Sequence, residues 1–140
     1  KIRPDMEPEF FRGHLDRPSW DDAIVQACLR AFGLLKETDL AADIRPFTDA
    51  THNMRVRGEA LSAWSRCAPA DPDLHRTLIA LTESPVYGLQ QQAISLLGEL
   101  RVSEAREALR ALVDEEADAN LVVLARGALE AIEAIESASR

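Results

Sequence analysis

Histidine and cysteine are the side chains in this 140-residue sequence whose chemistry could support catalysis or metal binding. The three histidines, His14, His52 and His75, fall in three different predicted helix pairs, and none has a second His, Cys or carboxylate at ligand spacing on its own helix face. His75 lies four residues after Asp71, but an aspartate that caps the start of a helix explains that pair. Because such sites need clusters of these groups, the sequence predicts neither a metal site nor a cofactor in this chain.

The two cysteines occupy apolar positions of predicted helices. Cys28 and Ala60 occupy equivalent positions of two predicted long helices, and Cys67 lies seven residues after Ala60. If these helices are adjacent and parallel, the two cysteines are offset along the helix axis by about 10 Å. A disulfide requires Cα atoms roughly 4.4 to 6.8 Å apart. We expect two buried, reduced thiols, which favours a reducing compartment and a cytoplasmic location. Neither has the adjacent base that a nucleophilic cysteine needs, so we expect no enzymatic activity from this chain.

Aromatic and basic residues could indicate binding of nucleic acid, but their pattern argues against it. Trp64 lies on the apolar side of a predicted helix, and Trp20 and Tyr87 lie at predicted helix starts, so all three have packing roles. The net charge is −8, the arginines are dispersed, and Lys36 is the single lysine beyond Lys1. Phosphate binding draws on clustered Lys and Arg, so no nucleic-acid partner is expected. No apolar run approaches the roughly 18 residues that a membrane-spanning helix needs, so no membrane partner is expected either.

The composition favours helices. The chain has 22 Ala and 18 Leu against 14 Val plus Ile, so its apolar residues are mostly helix formers rather than β-branched residues. The composition therefore predicts an all-α protein.

Apolar residues recur along the chain with a period that decides the architecture. The reference positions, spaced by 32, 33 and 35 residues, are Cys28, Ala60, Ala93 and Ala128. Residues at offsets −4, +1, +3, +4 and +7 from each are also apolar, which is the pattern of an amphipathic helix. Each long helix follows a shorter one with apolar anchors at helical spacing: Phe11 and Leu15; Leu40, Ile44 and Phe47; Leu74, Leu78 and Leu81; Ala105, Leu109 and Leu112. The sequence thus predicts four antiparallel helix pairs, at about 8–35, 38–67, 71–100 and 103–136.

Residues that cap helices mark the predicted starts independently of this period. They are Glu7-Pro8, Asp71-Pro72, Ser84-Pro85, Ser19 with Asp22, and Ser103 with Glu104. Residues 1–7 have no periodicity and are interpreted as a linker or a cut end, and residues 137–140 as a tail. The last pair is interpreted as an end cap whose outer side carries Glu130, Glu133 and Glu136, and residues 113–118 as a solvated acidic loop.

Helix pairs that repeat at a fixed period bury their apolar stripes by stacking, which predicts an α-α superhelix, a right-handed solenoid. In the second pair, the segment Met54–Cys67 carries Val56-Arg57 before Ala60, and in the third pair Leu89–Leu100 carries an Ala-x-x-x-Leu-Gly run. These patterns resemble the Val-Arg-x-x-Ala and Ala-x-x-x-Leu-Gly signatures of HEAT repeats, in the short form also called phycobilisome-lyase HEAT-like repeats. The resemblance covers about residues 8–136 and implies the fold rather than a function.

Two segments carry a narrower resemblance. His14–Leu35, with a Ser-x-x-Asp-x-Ile start at Ser19, and Met54–Trp64 resemble the HEAT-type domain at the carboxyl end of some bacterial zinc aminopeptidases of the aminopeptidase N type. In that family the helical domain covers the cleft of the catalytic domain. The His-Glu-x-x-His and Gly-x-Met-Glu-Asn motifs are absent, so any zinc would belong to a parent catalytic domain. A chain that begins at Lys1 is consistent with a piece of such an enzyme.

The outward side of the long helices is the candidate functional surface. Its polar side chains suit hydrogen bonds with a protein or an extended peptide, although a merely solvated face would look the same. The candidate residues are Gln26, Arg30, Glu59, Ser62, Arg66, Gln91, Gln92, Ser95, Glu99, Arg126 and Glu130. We therefore expect a non-catalytic interaction domain, either the accessory domain of a zinc aminopeptidase, packed on a catalytic domain of the same chain, or a free-standing HEAT adaptor. A lyase or other enzyme acting on a bound pigment or nucleotide would instead require a pocket with convergent polar groups.

Overall fold

The computed structural model describes residues 8–15, 22–115 and 118–139, and this part of the chain contains helices and no strand. The predicted all-α class is therefore confirmed. The interpretations of residues 1–7, Ser19, Trp20 and Arg140 lie outside the described residues.

The described residues form eight α-helices, and the chain divides into two compact units, Lys1–Pro69 and Ala70–Arg140, called the first and the second unit below. Short and long helices alternate in each unit, as the repeat predicts. The helices are α1 (Pro8–Arg12), α2 (Ala23–Leu35), α3 (Ala41–Ile44), α4 (Met54–Cys67), α5 (Pro72–Leu81), α6 (Tyr87–Glu99), α7 (Arg106–Asp114) and α8 (Ala119–Ala138). The last of these continues to Ala138, two residues into the segment interpreted as a tail.

Side-chain caps start three of the helices. Asp71 accepts a hydrogen bond from the amide of Asp73 (2.9 Å), and Pro72 occupies the first helical position of α5, so this predicted start is confirmed. The side chains of Asn53 and Asp118 accept bonds from helix amides at the starts of α4 and α8. Each cap satisfies an amide that has no partner within its helix.

The predicted start at Ser84-Pro85 is wrong by two residues. The Ser84 hydroxyl accepts a hydrogen bond from the amide of Val86 (3.1 Å), which forms a local turn instead of a helix cap. Val86 keeps an extended backbone, and α6 begins at Tyr87. The prediction failed because a serine before a proline serves a turn as readily as a helix.

The short helices are less regular than the periodicity predicts. Pro46, which has no amide hydrogen, ends α3, and the chain continues as a 3₁₀ turn over Arg45–Thr48. Leu40 and Ile44 are nevertheless fully buried, as predicted. In the fourth pair a 3₁₀ turn over Ser103–Ala105 precedes α7.

The acidic segment 113–118 is only partly a loop. Val113 and Asp114 close α7, and Asp118 caps α8. An acidic residue at a helix start is stabilised by the free amides there, so Asp118 has a structural role.

The apolar stripe is confirmed in α4 and in most positions of α2 and α6, where Ile24, Leu35 and Leu100 are half-buried, and it has a different register in α8. In α8 the buried positions are Leu121, Ala125, Ala128 and Ile132, whereas Ile135, predicted for the core, is 42% exposed. Leu124, Leu129 and Ala131, also assigned to the stripe, are half-buried. The reference position of the fourth long helix is therefore Ala125 rather than Ala128, because α8 packs through the turns around Leu121 and Ala125.

With this correction most of the buried core of the long helices repeats every 65 residues. The buried pairs are Cys28 and Ala93, Leu29 and Ile94, Ala31 and Leu96, Phe32 and Leu97, Gly33 and Gly98, Val56 and Leu121, Ala60 and Ala125, Ala63 and Ala128, and Cys67 and Ile132. The exceptions are Val25, Leu61, Trp64 and Ser65, whose counterparts Gln90, Arg126, Leu129 and Glu130 are exposed or half-buried. The shorter segments follow the same spacing at Leu40 and Ala105 and at Ile44 and Leu109. The repeating element is thus a unit of two helix pairs.

Polar contacts at the helix starts repeat with the same period. Asn53 at the start of α4 donates to the Asp22 carboxylate at the start of α2 (2.7 Å). Sixty-five residues later, the Tyr87 hydroxyl at the start of α6 donates to the Asp118 carboxylate at the start of α8 (2.8 Å). Each bond ties together the starts of the two long helices of one unit.

The two long helices of each unit also meet near the end of the first one. A Cβ built on Gly33 would lie 3.3 Å from the Cα of Ala63, and a Cβ built on Gly98 would lie 2.9 Å from the Cα of Ala128. Since the starts of these helices are also hydrogen-bonded, α2 runs parallel to α4 and α6 runs parallel to α8. At Gly98 the backbone of Ala128 occupies the place of a side chain, so glycine is needed there, and at Gly33 a side chain would make a tight contact with Ala63.

Ion pairs and side-chain bonds to carbonyls attach the shorter segments. Arg106 and Arg110 of α7 pair with Glu136 and Glu133 of α8, so α7 and α8 are antiparallel. Glu133 and Glu136, interpreted as an outer acidic cap, therefore face the preceding helix. In the first unit Arg12 of α1 pairs with Asp43 of α3 (2.9 Å).

Arg57 and Gln90, which lie 33 residues apart on long helices, have the same role. Arg57 of α4 donates to the carbonyl of Thr48 (3.0 Å), and Gln90 of α6 donates to the carbonyl of Thr82 (2.7 Å). In each case the long helix binds the end of the short segment before it. Glutamine replaces arginine here without loss of the contact.

Truncation of Leu97 tests the core. Leu97 is completely buried in α6, so Leu97→Ala should lower the free energy of unfolding by about 2 to 5 kcal/mol. Glu99→Ala, at an exposed position of the same helix, should change it by less than about 0.5 kcal/mol. Urea unfolding followed by circular dichroism measures both, and equal effects would contradict the assigned core.

Gly98→Ala tests the close approach of α6 and α8. The added methyl would overlap the backbone of Ala128, so we expect destabilisation of about 1 to 3 kcal/mol despite the better helix propensity of alanine. Gly127→Ala is the matched control, because no atom lies within 4 Å of its Cβ position and alanine should stabilise α8 by up to about 1 kcal/mol. Thermal unfolding of the two variants should therefore shift in opposite directions, and a shared direction would contradict the crossing.

Candidate functional site

The predicted surface residues all lie on long helices, and all are exposed or half-buried. The first unit carries Gln26 and Arg30 on α2 and Glu59, Ser62 and Arg66 on α4; the second carries Gln91, Gln92, Ser95 and Glu99 on α6 and Arg126 and Glu130 on α8. Which of them come together differs between the two units.

In the first unit, polar side chains cover the seam between the two long helices. Arg30 of α2 donates to the Glu59 carboxylate of α4 (2.8 Å). The Cδ of Arg66 would lie 3.4 Å from a Cβ built on Gly33, so the aliphatic part of that arginine lies over the glycine. Long basic side chains commonly cover apolar surface with their stems while the charged end remains in water. The first unit thus fills this seam with its own side chains.

In the second unit, the same seam is an open groove of about 420 Å³ between α6 and α8, called the second-unit groove below. Its mostly apolar lining comprises Ile94, Ser95, Gly98, Glu99, Arg101, Val123, Leu124, Gly127, Ala128 and Ala131. Ser95 and Glu99 are therefore the predicted residues that the fold brings together with this groove. The remaining predicted residues of the unit lie outside the lining: Gln91, Gln92, Arg126 and Glu130.

The 65-residue repeat explains why one seam is filled and the other is open. The residues that cover the first seam, Arg30, Glu59 and Arg66, correspond to Ser95, Leu124 and Ala131, and Ser62 corresponds to Gly127. Every counterpart is smaller than the residue of the first unit or lacks its charge. The open groove therefore coincides with small or uncharged residues at the positions whose side chains cover the first seam.

Sequence reasoning missed most of the groove because its residues are apolar or small. Val123 is 69% exposed, and Gly127 has open space at its Cβ position. The search for polar residues at outward positions passed over both. The 65-residue period contains part of the missing signal, because it pairs Leu124 with Glu59 and Ala131 with Arg66.

Two of the histidines, His14 and His52, interact with aromatic rings. The Nδ1 atom of His14 lies 2.7 Å from the carbonyl oxygen of Phe10, and their rings are in contact. His52 lies against Phe47 with ring centroids 5.0 Å apart. Within residues 8–15, 22–115 and 118–139, no group of three His, Cys, Asp or Glu residues could hold a metal ion.

Both cysteines are free and buried, as predicted. Burial raises the pKa of the Cys28 thiol and of the Cys67 thiol, because the charged thiolate loses its hydration. The Cys67 thiol donates to the carbonyl oxygen of Phe32 (3.2 Å), which attaches α4 to the end of α2. These features make the thiols part of the core and poor nucleophiles.

The described aromatic residues have packing and capping roles, as predicted. Trp64 is buried, and the Arg45 guanidinium lies 5.9 Å from the centre of its ring system. Tyr87 lies at the start of α6, where its hydroxyl binds Asp118.

The hydrogen bond between Tyr87 and Asp118 changes the acidity of both groups. It raises the pKa of Tyr87, because the neighbouring carboxylate disfavours the phenolate. It also lowers the pKa of Asp118, and the amide of Asn120 adds to that effect. Both shifts stabilise the state with a neutral tyrosine and a charged cap at the start of α8.

Tyr87→Phe should raise the pKa of Asp118 toward the ordinary aspartate value. The folded pKa of Asp118 is lower than its unfolded pKa, so its stabilising effect is present above the unfolded value and disappears as the pH falls through the folded value. The variant should therefore lose less stability on acidification than the wild type. Carboxyl NMR titration measures the shift, and Glu104, whose pKa is lowered mainly by its own backbone amide, is the control. An unchanged Asp118 pKa would contradict the role of the bond.

Comparisons with known proteins do not place the chain in a family. No protein-family model, no curated protein and no solved structure matches it. In the described part of the chain, no helix is long and apolar enough to span a membrane. The groove and its residues therefore provide the basis for a functional proposal.

Proposed function

We propose that this chain is a non-catalytic helical-repeat module that binds another protein or a peptide through the long-helix face of its second unit. The observation that carries the proposal is the open groove between α6 and α8, at a seam that the first unit covers with its own side chains. Exposed apolar surface next to polar residues is typical of protein interaction sites.

The lining of the second-unit groove supports binding rather than catalysis. Its polar side chains are Ser95, Glu99 and Arg101, and the rest of the lining is apolar. A catalytic site requires a nucleophile or base held by a third group, and neither buried thiol lines this groove. The lyase alternative therefore has less support than a docking surface.

The resemblance to HEAT repeats adds a finer proposal. The alternation of short and long helices and the carbonyl contacts of Arg57 and Gln90 support a HEAT-like repeat protein. The resemblance of His14–Leu35 and Met54–Trp64 supports an accessory domain that covers the cleft of a bacterial zinc aminopeptidase. In that case the partner is a catalytic domain of the same chain, and zinc is held there. The alternative is a free-standing adaptor with a separate partner.

The genomic coding sequence distinguishes the accessory domain from the adaptor. An upstream His-Glu-x-x-His motif in the same reading frame supports the accessory domain. A stop codon just before a start codon near Lys1 would rule it out and support the adaptor.

A groove variant tests the binding function itself. Val123→Glu places a charge in the lining at a position that is 69% exposed, so it should change the free energy of unfolding by less than about 0.5 kcal/mol. We expect a protein of the source cell to be retained by the immobilised wild-type chain and lost with Val123→Glu. Ala80→Glu, at an exposed position of α5 outside the lining, is the matched control and should retain it. Equal retention by all three chains would contradict docking at the groove.

A further inference from the structure

The second-unit groove has the size and chemistry of a site for part of a peptide. Its volume of about 420 Å³ falls within the range of ordinary binding sites, roughly 300 to 1,000 Å³. The floor is formed where Gly98 meets Ala128, and Gly127 leaves open space beside it. Such a floor accepts an aliphatic chain but offers it few hydrogen bonds.

The first unit shows which side chain fits this floor. Arg66 places its Cδ over Gly33, the counterpart of Gly98. Arg66 itself corresponds to Ala131, which ends at its methyl group. The second unit therefore offers the seat of an arginine stem without an arginine at the position that corresponds to Arg66.

The charge at the rim differs between the units in a direction that favours a cation. Glu99 lines the groove and is exposed, whereas its counterpart in the first unit is Leu34. Glu99 is also the last residue of α6, where the carbonyl end of the helix adds partial negative charge. Arg101 is the other charged residue of the lining.

The charge of the whole second unit favours a cation as well. Residues 70–140 contain 13 acidic and six basic side chains, whereas residues 1–69 contain 11 and ten. Nearly all of the negative charge of the protein therefore belongs to the unit with the open groove. Charge of one sign steers a partner of the opposite sign toward the site.

We propose that the second-unit groove binds a basic segment of a partner protein and seats an arginine stem of that segment over Gly98 and Gly127, with its guanidinium at Glu99. This inference rests on the proposed docking function and adds the chemistry of the partner. The bound arginine repeats between two molecules the arrangement that Arg66 and Gly33 form within one unit.

Fluorescence anisotropy with two labelled decapeptides tests the proposal. One peptide alternates arginine and leucine, and the other carries glutamate in place of every arginine. We expect the arginine peptide to bind the whole chain and the glutamate peptide to bind at least about tenfold more weakly. Equal binding, preference for glutamate, or no binding of either peptide would overturn the proposal.

Two variants with the same added charge separate binding in the groove from general attraction. Ala131→Arg supplies the missing counterpart of Arg66 and should weaken the arginine peptide about tenfold by occupying the seat. Ala80→Arg adds the same charge at an exposed position of α5 outside the groove and should change the affinity by less than about twofold, because exposed charges are screened by salt. Equal weakening by both variants would overturn the groove as the site.

A measurement on the wild-type chain covers the case in which Ala131→Arg fails to fold. Amide NMR spectra recorded with the arginine peptide should change at Ser95, Gly98 and Gly127 and not in α5. Changes confined to other surfaces would overturn the proposal. If the glutamate peptide instead produces these changes, the basic partner is wrong while docking at the groove stands. The Val123→Glu retention experiment tests docking separately from either peptide.

Discussion

The close approach of parallel long helices is the constraint on which each unit depends. At Gly98 the backbone of Ala128 occupies the space that a side chain would need, and at Gly33 a side chain would make a tight contact with Ala63. A bond between the helix starts, Asn53 to Asp22 or Tyr87 to Asp118, fixes the register from the other end. Because both ends of each helix pair are fixed, the buried apolar positions between them follow. The short helices are then attached by carbonyl contacts and ion pairs.

Repetition of this arrangement separates the core from the surface. Many positions 65 residues apart are buried in both units, although their residue types differ, as in Phe32 and Leu97 or Cys67 and Ile132. Packing tolerates such exchanges where the volume of the layer is preserved. The outward positions are not restrained in this way, and there the first unit has an ion pair and an arginine where the second has serine, leucine and alanine. The candidate binding site is a consequence of that difference.

The sequence predicted the long helices well and the short ones less well. Strong periodicity over three or four turns identifies α4 and α6, and proline after an aspartate identifies the start of α5. The segment around Pro46 has the correct anchors, Leu40 and Ile44, but it forms the short helix α3 followed by a 3₁₀ turn instead of one continuous helix. Ser84 forms a local turn and does not cap a helix. The apolar residues of α8 are so numerous that they fit helical stripes in more than one register. Periodicity alone therefore predicted Ala128 as the reference position, whereas the packing of α8 places Ala125 there.

The residues of the candidate site also divide into those that the sequence predicts and those that it does not. Ser95 and Glu99 could be found from the sequence, because they are polar residues at outward positions of a periodic helix. Val123, Gly127 and Ala131 could not be found from the sequence. A small or apolar residue is recognised as part of a groove only when the position of the facing helix is known. The sequence by itself determined the all-α class, the long helices, the buried thiols and the acidic second half. Only the tertiary structure decided the register of α8 and which seam is open, because both depend on which atoms of two helices compete for the same space.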